Sequence, residues 1–142
     1  MDKPLFASPQ DCEAAFYEAL ETADLEAMMS VWAEDEEIIC IHPTGGRLAG
    51  HEQVRAGWRQ IFTGGRRMQV QLSNQVYMQG MMLSIHSVYE SVSAPGEARR
   101  RNPVVATNVY LRTGSGWRMV AHHASIAPEA PQKPAETPKV LH

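Results

Sequence analysis

Two hydrophobic periods divide the chain. In its first part apolar residues recur at helical spacing. Ser8-Pro9-Gln10-Asp11 reads as a helix start, with a hydroxyl cap, proline at the first helical position and an acid in the first turn. Cys12, Ala15, Phe16, Ala19, Leu20 and Ala23 then follow on one face, which predicts a helix over 8–22. Asp24 caps a second predicted helix, 24–33, with Leu25, Met28, Met29 and Trp32 along one side. Glu37 to His42 reads as an isoleucine-rich strand stopped by Pro43, and Thr44-Gly45-Gly46 as a loop. A third helix is expected over 51–62, carrying Val54, Trp58, Ile61 and Phe62 and ended by Gly64-Gly65.

After Gly65 the period changes to two. Met68, Val70, Leu72, Asn74 and Val76 alternate with polar partners, and Met81 to Val92 forms a second long strand until Ala94-Pro95-Gly96 breaks it. Arg101 to Arg112 and Trp117 to Ser125 are two more strands, joined at Gly114-Ser115-Gly116. Helices first and a four-strand meander afterwards mean an α+β domain, with three N-terminal helices packed on one face of a curved antiparallel sheet. From Pro128 the prolines at 128, 131, 134 and 138 among Ala, Glu, Lys and Gln mark an extended tail. The expected organisation is therefore one domain over 1–127 and a proline-rich tail over 128–142. That tail is expected to contribute little to the core.

Composition narrows the function classes. A chain of 142 residues with 44% hydrophobic residues can bury a real core. A net charge of −3 and the absence of a basic stripe argue against nucleic acid, and no apolar run reaches the length of a membrane span. Arg99-Arg100-Arg101 is the one basic run, and three adjacent charges cannot share a face of a strand. The N-terminus lacks the basic and apolar regions of a signal peptide. Cys12 falls on a helix's apolar face and Cys40 inside a strand, so two buried thiols in a reducing cytoplasm are expected.

The order of elements carries a resemblance. Its marks are Ala19-Leu20 with Asp24-Leu25, Val31-Trp32-Ala33-Glu34-Asp35 before the first strand, Gly50 and Trp58 in the third helix, and Gly116-Trp117-Arg118 entering the last strand. With these, residues 8–126 resemble the nuclear transport factor 2-like superfamily, which includes SnoaL-like polyketide cyclases and ketosteroid isomerases. The ending Trp117-Arg118 to His122-His123-Ala124-Ser125 is most similar to small SnoaL-like proteins. The resemblance implies a cystatin-like, cone-shaped α+β barrel with a pocket between helices and sheet, and a homodimer through the sheet's outer face. It does not carry over the isomerase chemistry. That family's base is an Asp before a Pro at the end of the first strand, where His42 precedes Pro43 here. Its oxyanion donors are a Tyr in the first helix and an Asp in the next-to-last strand, matched here by Phe16, with Tyr17 beside it, and by Thr107.

The candidate chemistry follows from strand alternation. Ile38, Cys40 and His42 are expected to face the pocket, and His42 stands where a base would act near neutral pH. In the last strand Trp117, Met119, Ala121, His123 and Ser125 share one face, an apolar wall ending in polar groups. His42 and His123 are thus the candidate catalytic pair. Tyr17, Trp32, Cys40, Trp58, Thr107, Trp117, Met119 and Ser125 are the candidate substrate-binding residues. Asn74, His86 and Asn108 are polar positions within strands whose facing depends on register. No metal site is expected, because His122 and His123 diverge on a strand and no nearby carboxylate completes a set. Nor is a cofactor.

Two functions compete. One is a cofactor-independent isomerase, cyclase or dehydratase acting on a small hydrophobic or polyketide-like molecule. The other is a non-catalytic ligand-binding or dimeric assembly module, with no nucleic acid and no membrane as partner. With Thr107 inward, Asn108, Tyr110, Arg112, Val120 and His122 would form the dimer face.

Overall fold

The computed structural model describes residues 3–64, 67–94 and 103–128. The arginine run at 99–101 and the tail at 129–142 lie outside the described residues.

Helix α1 spans Pro9–Thr22, with the Ser8 hydroxyl accepting from the Asp11 amide at 3.0 Å. Helix α2 spans Leu25–Ser30 and is capped by Asp24, which accepts from the Ala27 amide. It is shorter than its apolar spacing predicts. Val31 to Ala33 leave the helix and run beside the last strand, where the Met119 amide donates to the Val31 carbonyl and the Ala33 amide to the Met119 carbonyl. Trp32 therefore enters the core from an extended segment, not from a helix face. Helix α3 spans Gly50–Phe62 and buries Val54, Trp58 and Phe62.

The strands are β1 (Ile39–Ile41), β2 (Arg47–Ala49), β3 (Gln69–Gln79), β4 (Leu83–Ser93), β5 (Val104–Thr113) and β6 (Gly116–Ile126). They form one six-stranded sheet in the order β2-β1-β6-β5-β4-β3, which curves without closing. The four-strand meander β3 to β6 is antiparallel as expected. Two features differ from the sequence reading. The loop after Pro43 folds back as the short strand β2, and β1 runs parallel to β6, because the chain must cross the sheet through α3 and the meander before returning.

Two bulges set which side chains face the helices. In β3 the register shifts between Ser73 and Val76, and Asn74 adopts φ 50°. This bends an edge strand and makes it a poor template for further pairing. Asn74 is thereby exposed. In β6 Val109 opposes Ala121 while Tyr110 opposes Met119, so Val120 is the extra residue. Strict alternation from Trp117 would place His123 and Ser125 inside. The bulge reverses the parity: Trp117 and Met119 are buried, but beyond Val120 it is His122 and Ala124 that point inward, and His123 and Ser125 are exposed. Thr107, paired with His123, is exposed as well, and Asn108 and Tyr110 are buried. The expected inward positions of His123, Ser125 and Thr107, and the dimer face built from Asn108, Tyr110 and His122, are therefore corrected.

The register makes opposite forecasts for adjacent histidines. His123→Ala should change unfolding free energy by no more than about 0.5 kcal/mol, as for an ordinary surface position. His122→Ala should cost about 2 kcal/mol or more, because it empties a buried site and leaves the Asn108 amide oxygen unpaired. Chemical denaturation of the two variants checks this, and the reverse ranking would place the bulge elsewhere.

Candidate functional site

One register row crosses all six strands on the inner face: Leu48, Cys40, His122, Asn108, His86 and Tyr77 oppose one another in turn. Helix α1 lies over this row and lowers Glu13 and Tyr17 onto it. Glu13 is only 4% exposed. Its Oε2 accepts from the Tyr110 hydroxyl at 2.8 Å and from Asn108 Nδ2 at 3.3 Å, and lies 2.9 Å from His86 Nδ1. The Tyr77 hydroxyl approaches Oε1 at 3.4 Å. Ser84 Oγ is 2.9 Å from the far nitrogen of His86. From the same amide, Asn108 Nδ2 donates to the Tyr17 hydroxyl at 2.9 Å, and Tyr17 donates to Glu90 Oε2 at 2.5 Å. Asn108 Oδ1 is 2.6 Å from His122 Nδ1. Eight buried polar side chains from α1, β4, β5 and β6 thus form one connected network.

The two carboxylates in it are driven apart. Burial acts to raise the pKa of Glu13, but hydrogen bonds from His86, Tyr110 and Asn108, together with the electrostatic pull of His86, outweigh it and hold the group below its ordinary value. Glu90 has one donor. Burial pushes it up to about 7, the Tyr17 hydrogen bond opposes this, and the Glu13 charge adds to it. Burial and the neighbouring Glu90 carboxylate raise Tyr17 well above its usual range. Burial drives His122 down to about 3, assisted by His42 and His123, and burial also lowers His42.

His42 follows the last residue of β1 and is half-buried, its ring edge-on to Trp58 at 4.6 Å between centroids and 6.4 Å from His122. Its Nε2 lies 3.6 Å from Cys40 Sγ, and neither ring nitrogen bonds a loop carbonyl among the described residues. A pair of imidazoles at bridging distance therefore exists, but the partner of His42 is His122, not His123. Gly57 of α3 packs here: a Cβ at this position would crowd the end of the Leu48 side chain and stand 3.7 Å from His42 Nε2. Phe16, Trp58 and Phe62 wall the same region, with Phe16 and Trp58 edge-to-face at 5.6 Å. Trp58 Nε1 is buried and has no hydrogen-bond partner among the described residues.

Of the residues read from sequence, Tyr17, Cys40, Trp58 and His42 converge here. Trp32, Trp117 and Met119 are buried towards the N-terminal end of β6. Thr107, His123 and Ser125 lie on the other face. One residue on from Phe16 and Thr107, Tyr17 and Asn108 face inward and are bonded to each other. The sequence reading missed Glu13 and Glu90. Glu13 precedes Phe16, Tyr17 and Leu20 by three, four and seven residues, a charge on a buried helical face. Glu90 alternates with Ser84, His86 and Val88, all buried. Among the described residues no three His, Cys, Asp or Glu side chains converge as a metal ion requires. A surface cleft of about 550 Å³ between the N-terminal segment, α2 and α3 contains none of the network. Two ion pairs lie in it, Lys3 with Glu34 and Arg55 with Glu26.

Comparison with known proteins agrees with this architecture. The SnoaL-like domain profile matches residues 10–129. A calcium/calmodulin-dependent protein kinase type II association domain from Thiobacillus denitrificans, provisionally assigned as such, is 41% identical. That match covers 87% of this chain and 98% of the other, with a TM-score of 0.78. A protein provisionally assigned as a dehydratase of the nuclear transport factor 2-like family, from Streptomyces avermitilis, is 28% identical over 82% of this chain and 91% of its own, with a TM-score of 0.73. The F-box protein SKIP8 of Arabidopsis thaliana is 26% identical over 113 residues, 78% of this chain. The chain spans 46% of that relative's length.

The raised Glu90 gives a pH signature. Its folded pKa of about 7 lies above the ordinary 4.5, so the folded state holds the proton more tightly. Stability from this group is full below about 4.5 and is lost as pH rises through about 7. Glu90→Gln removes the dependence. Relative to wild type, the variant should gain about 2–3 kcal/mol between roughly pH 5 and pH 8. Denaturation at several pH values measures it, and a flat difference would contradict the perturbed carboxyl.

Proposed function

The chain belongs to the SnoaL-like domain family, and we propose that within this fold it binds a small hydrophobic molecule between α1, α3 and the sheet and moves a proton on it through Glu90. The observation that carries this reading is the divergence of two buried carboxyls in one network. Glu13 is held ionised by several donors, whereas Glu90 is left with one donor and titrates near neutrality. A carboxyl poised near the working pH both gives and takes a proton readily. Tyr17 is its hydrogen-bonding partner, and His42 borders the same interior as a neutral imidazole. Phe16, Trp58 and Phe62 supply apolar walls. Isomerisation, dehydration and cyclisation each need this acid–base chemistry and no cofactor. The likeness to a relative assigned as a dehydratase supports the same class.

A second reading, assembly, has its own observation. The next register row, on the outer face, is Ala49, Ile39, Ala121, Val109, Ile85 and Met78, apolar on all six strands. Ile39 and Met78 are exposed. An apolar stripe of this extent fits a second copy of the chain, and two-fold pairing is the common solution. The likeness to an association domain is in keeping with it. Catalysis inside and pairing outside are compatible.

Two experiments test these readings. A thermal-stabilisation screen of small hydrophobic compounds supplies a substrate candidate. Glu90→Gln should then lower its kcat by roughly 10²–10⁴-fold with KM little changed. Full activity in that variant would remove Glu90 from the chemistry. For assembly, Val109→Lys should convert a sedimenting dimer to monomer at micromolar concentration, and a wild-type monomer would end the second reading.

A further inference from the structure

We propose that Asn108 is a positioning residue that holds His122 as its Nδ1–H tautomer. The bare Nε2 is then a fixed acceptor for a hydrogen-bond donor on the bound molecule. The inference gives the interior a substrate preference, and in that respect it rests on the ligand-binding reading above. The tautomer itself follows from the network alone.

Glu13 fixes the orientation of the Asn108 amide. Its Oε2 accepts from the Tyr110 hydroxyl and from Asn108, and an ionised carboxylate offers no proton. The Asn108 atom 3.3 Å from it must therefore be the amide nitrogen. The same nitrogen donates to the Tyr17 hydroxyl, whose oxygen has a lone pair left when it donates to Glu90. With its nitrogen committed on that side, Asn108 turns its oxygen to His122. An amide oxygen only accepts, so His122 Nδ1, at 2.6 Å, carries the proton. Buried as it is, the imidazole is neutral and holds one proton. Its Nε2 is consequently a lone pair.

Nothing among the described residues bonds that Nε2. The ring lies beside Phe16 at 4.9 Å, Trp58 at 6.1 Å and His42 at 6.4 Å, the region where Trp58 Nε1–H is also unpaired. The offered group is one locked acceptor between aromatic walls. A ligand hydroxyl satisfies it by donating to His122 Nε2. An ether or a ketone lacks the donor and leaves His122 unsatisfied.

The test uses 15N-labelled protein and long-range proton–nitrogen correlation of the imidazoles near pH 7. Wild-type His122 should show a protonated Nδ1 and an unprotonated Nε2. An Nε2–H form, an imidazolium or a rapid mixture would overturn the proposal. Asn108→Leu removes the acceptor, and the Nε2–H form should become the major one. Persistence of Nδ1–H in that variant would show that Asn108 is not the cause. Because Asn108→Leu leaves Glu13 short of a donor and can fail to fold, a wild-type arm decides independently. Phenol should move the His122 Nε2 resonance, whereas anisole should bind roughly 5- to 10-fold more weakly and leave it in place. Equal binding, or no movement with phenol, refutes the acceptor role. Glu90→Gln should leave the His122 tautomer unchanged, so failure of the proton-transfer reading and failure of this one are told apart.

Discussion

The carboxylate of Glu13 organises the interior. A carboxylate taken out of water costs several kcal/mol unless donors replace its hydration. Here they come from three sheet strands: Tyr77 on β3, His86 on β4, and Asn108 and Tyr110 on β5. Each of those side chains must stand at its observed register for the charge to be tolerated, so the helix α1 and the sheet have one docking position. An apolar contact would permit sliding by a residue or two at modest cost. A carboxylate with several short donor contacts does not, because each lost donor leaves a buried polar group unpaired at about 1–3 kcal/mol.

The contrast with Glu90 shows that burial alone decides little. Both groups are nearly as buried, 4% and 5% exposed, yet one is held ionised and the other titrates near 7. The difference is the number of donors. Glu90 lies two rows along β4 from His86, opposite Leu72 and Val104, where the neighbouring strands offer aliphatic side chains in place of hydroxyls and amides. The Glu13 charge adds a like-sign repulsion. One network thus contains a fixed charge and a mobile proton, with Tyr17 and Asn108 between them.

Much of the fold was legible because period and punctuation agree. Ser8-Pro9 and Asp24 start helices where they should, and the change from helical to alternating spacing after Gly65 marks the meander. His42, Cys40 and Trp58 were also reachable, since each lies on an element whose facing the pattern fixes, whereas Tyr17 stood one position off the apolar stripe of α1. What alternation could not reveal is Val120. Met119-Val120-Ala121 has no glycine or polar residue to announce an insertion, and the bulge shows itself only when Tyr110 and Ala121 are both assigned partners. One unannounced residue moved His122 in and His123 out, whereas the inward placing of Thr107 came from the resemblance and not from the period. Glu13 was legible in principle, as a charge within the apolar stripe of α1. Its meaning needed the sheet, because its partners are 64 to 97 positions away in sequence.

The same alternation would let the two proposed functions share one thin sheet. Adjacent residues of β4, β5 and β6 belong to different environments: Ile85 and His86, Asn108 and Val109, Ala121 and His122. The row through His86, Asn108 and His122 is polar and covered by α1. The row through Ile85, Val109 and Ala121 is apolar and half-buried, with no helix packed over it among the described residues. A partner held on the outer row would stiffen the backbone to which the inner row is attached, because residues one apart share a peptide plane. Pre-organised donors and acceptors are more effective the less they must move. The proposed pairing through the outer face would therefore support the proposed chemistry inside, since the geometry between Asn108 and His122 is set by the strand pairing of β5 and β6.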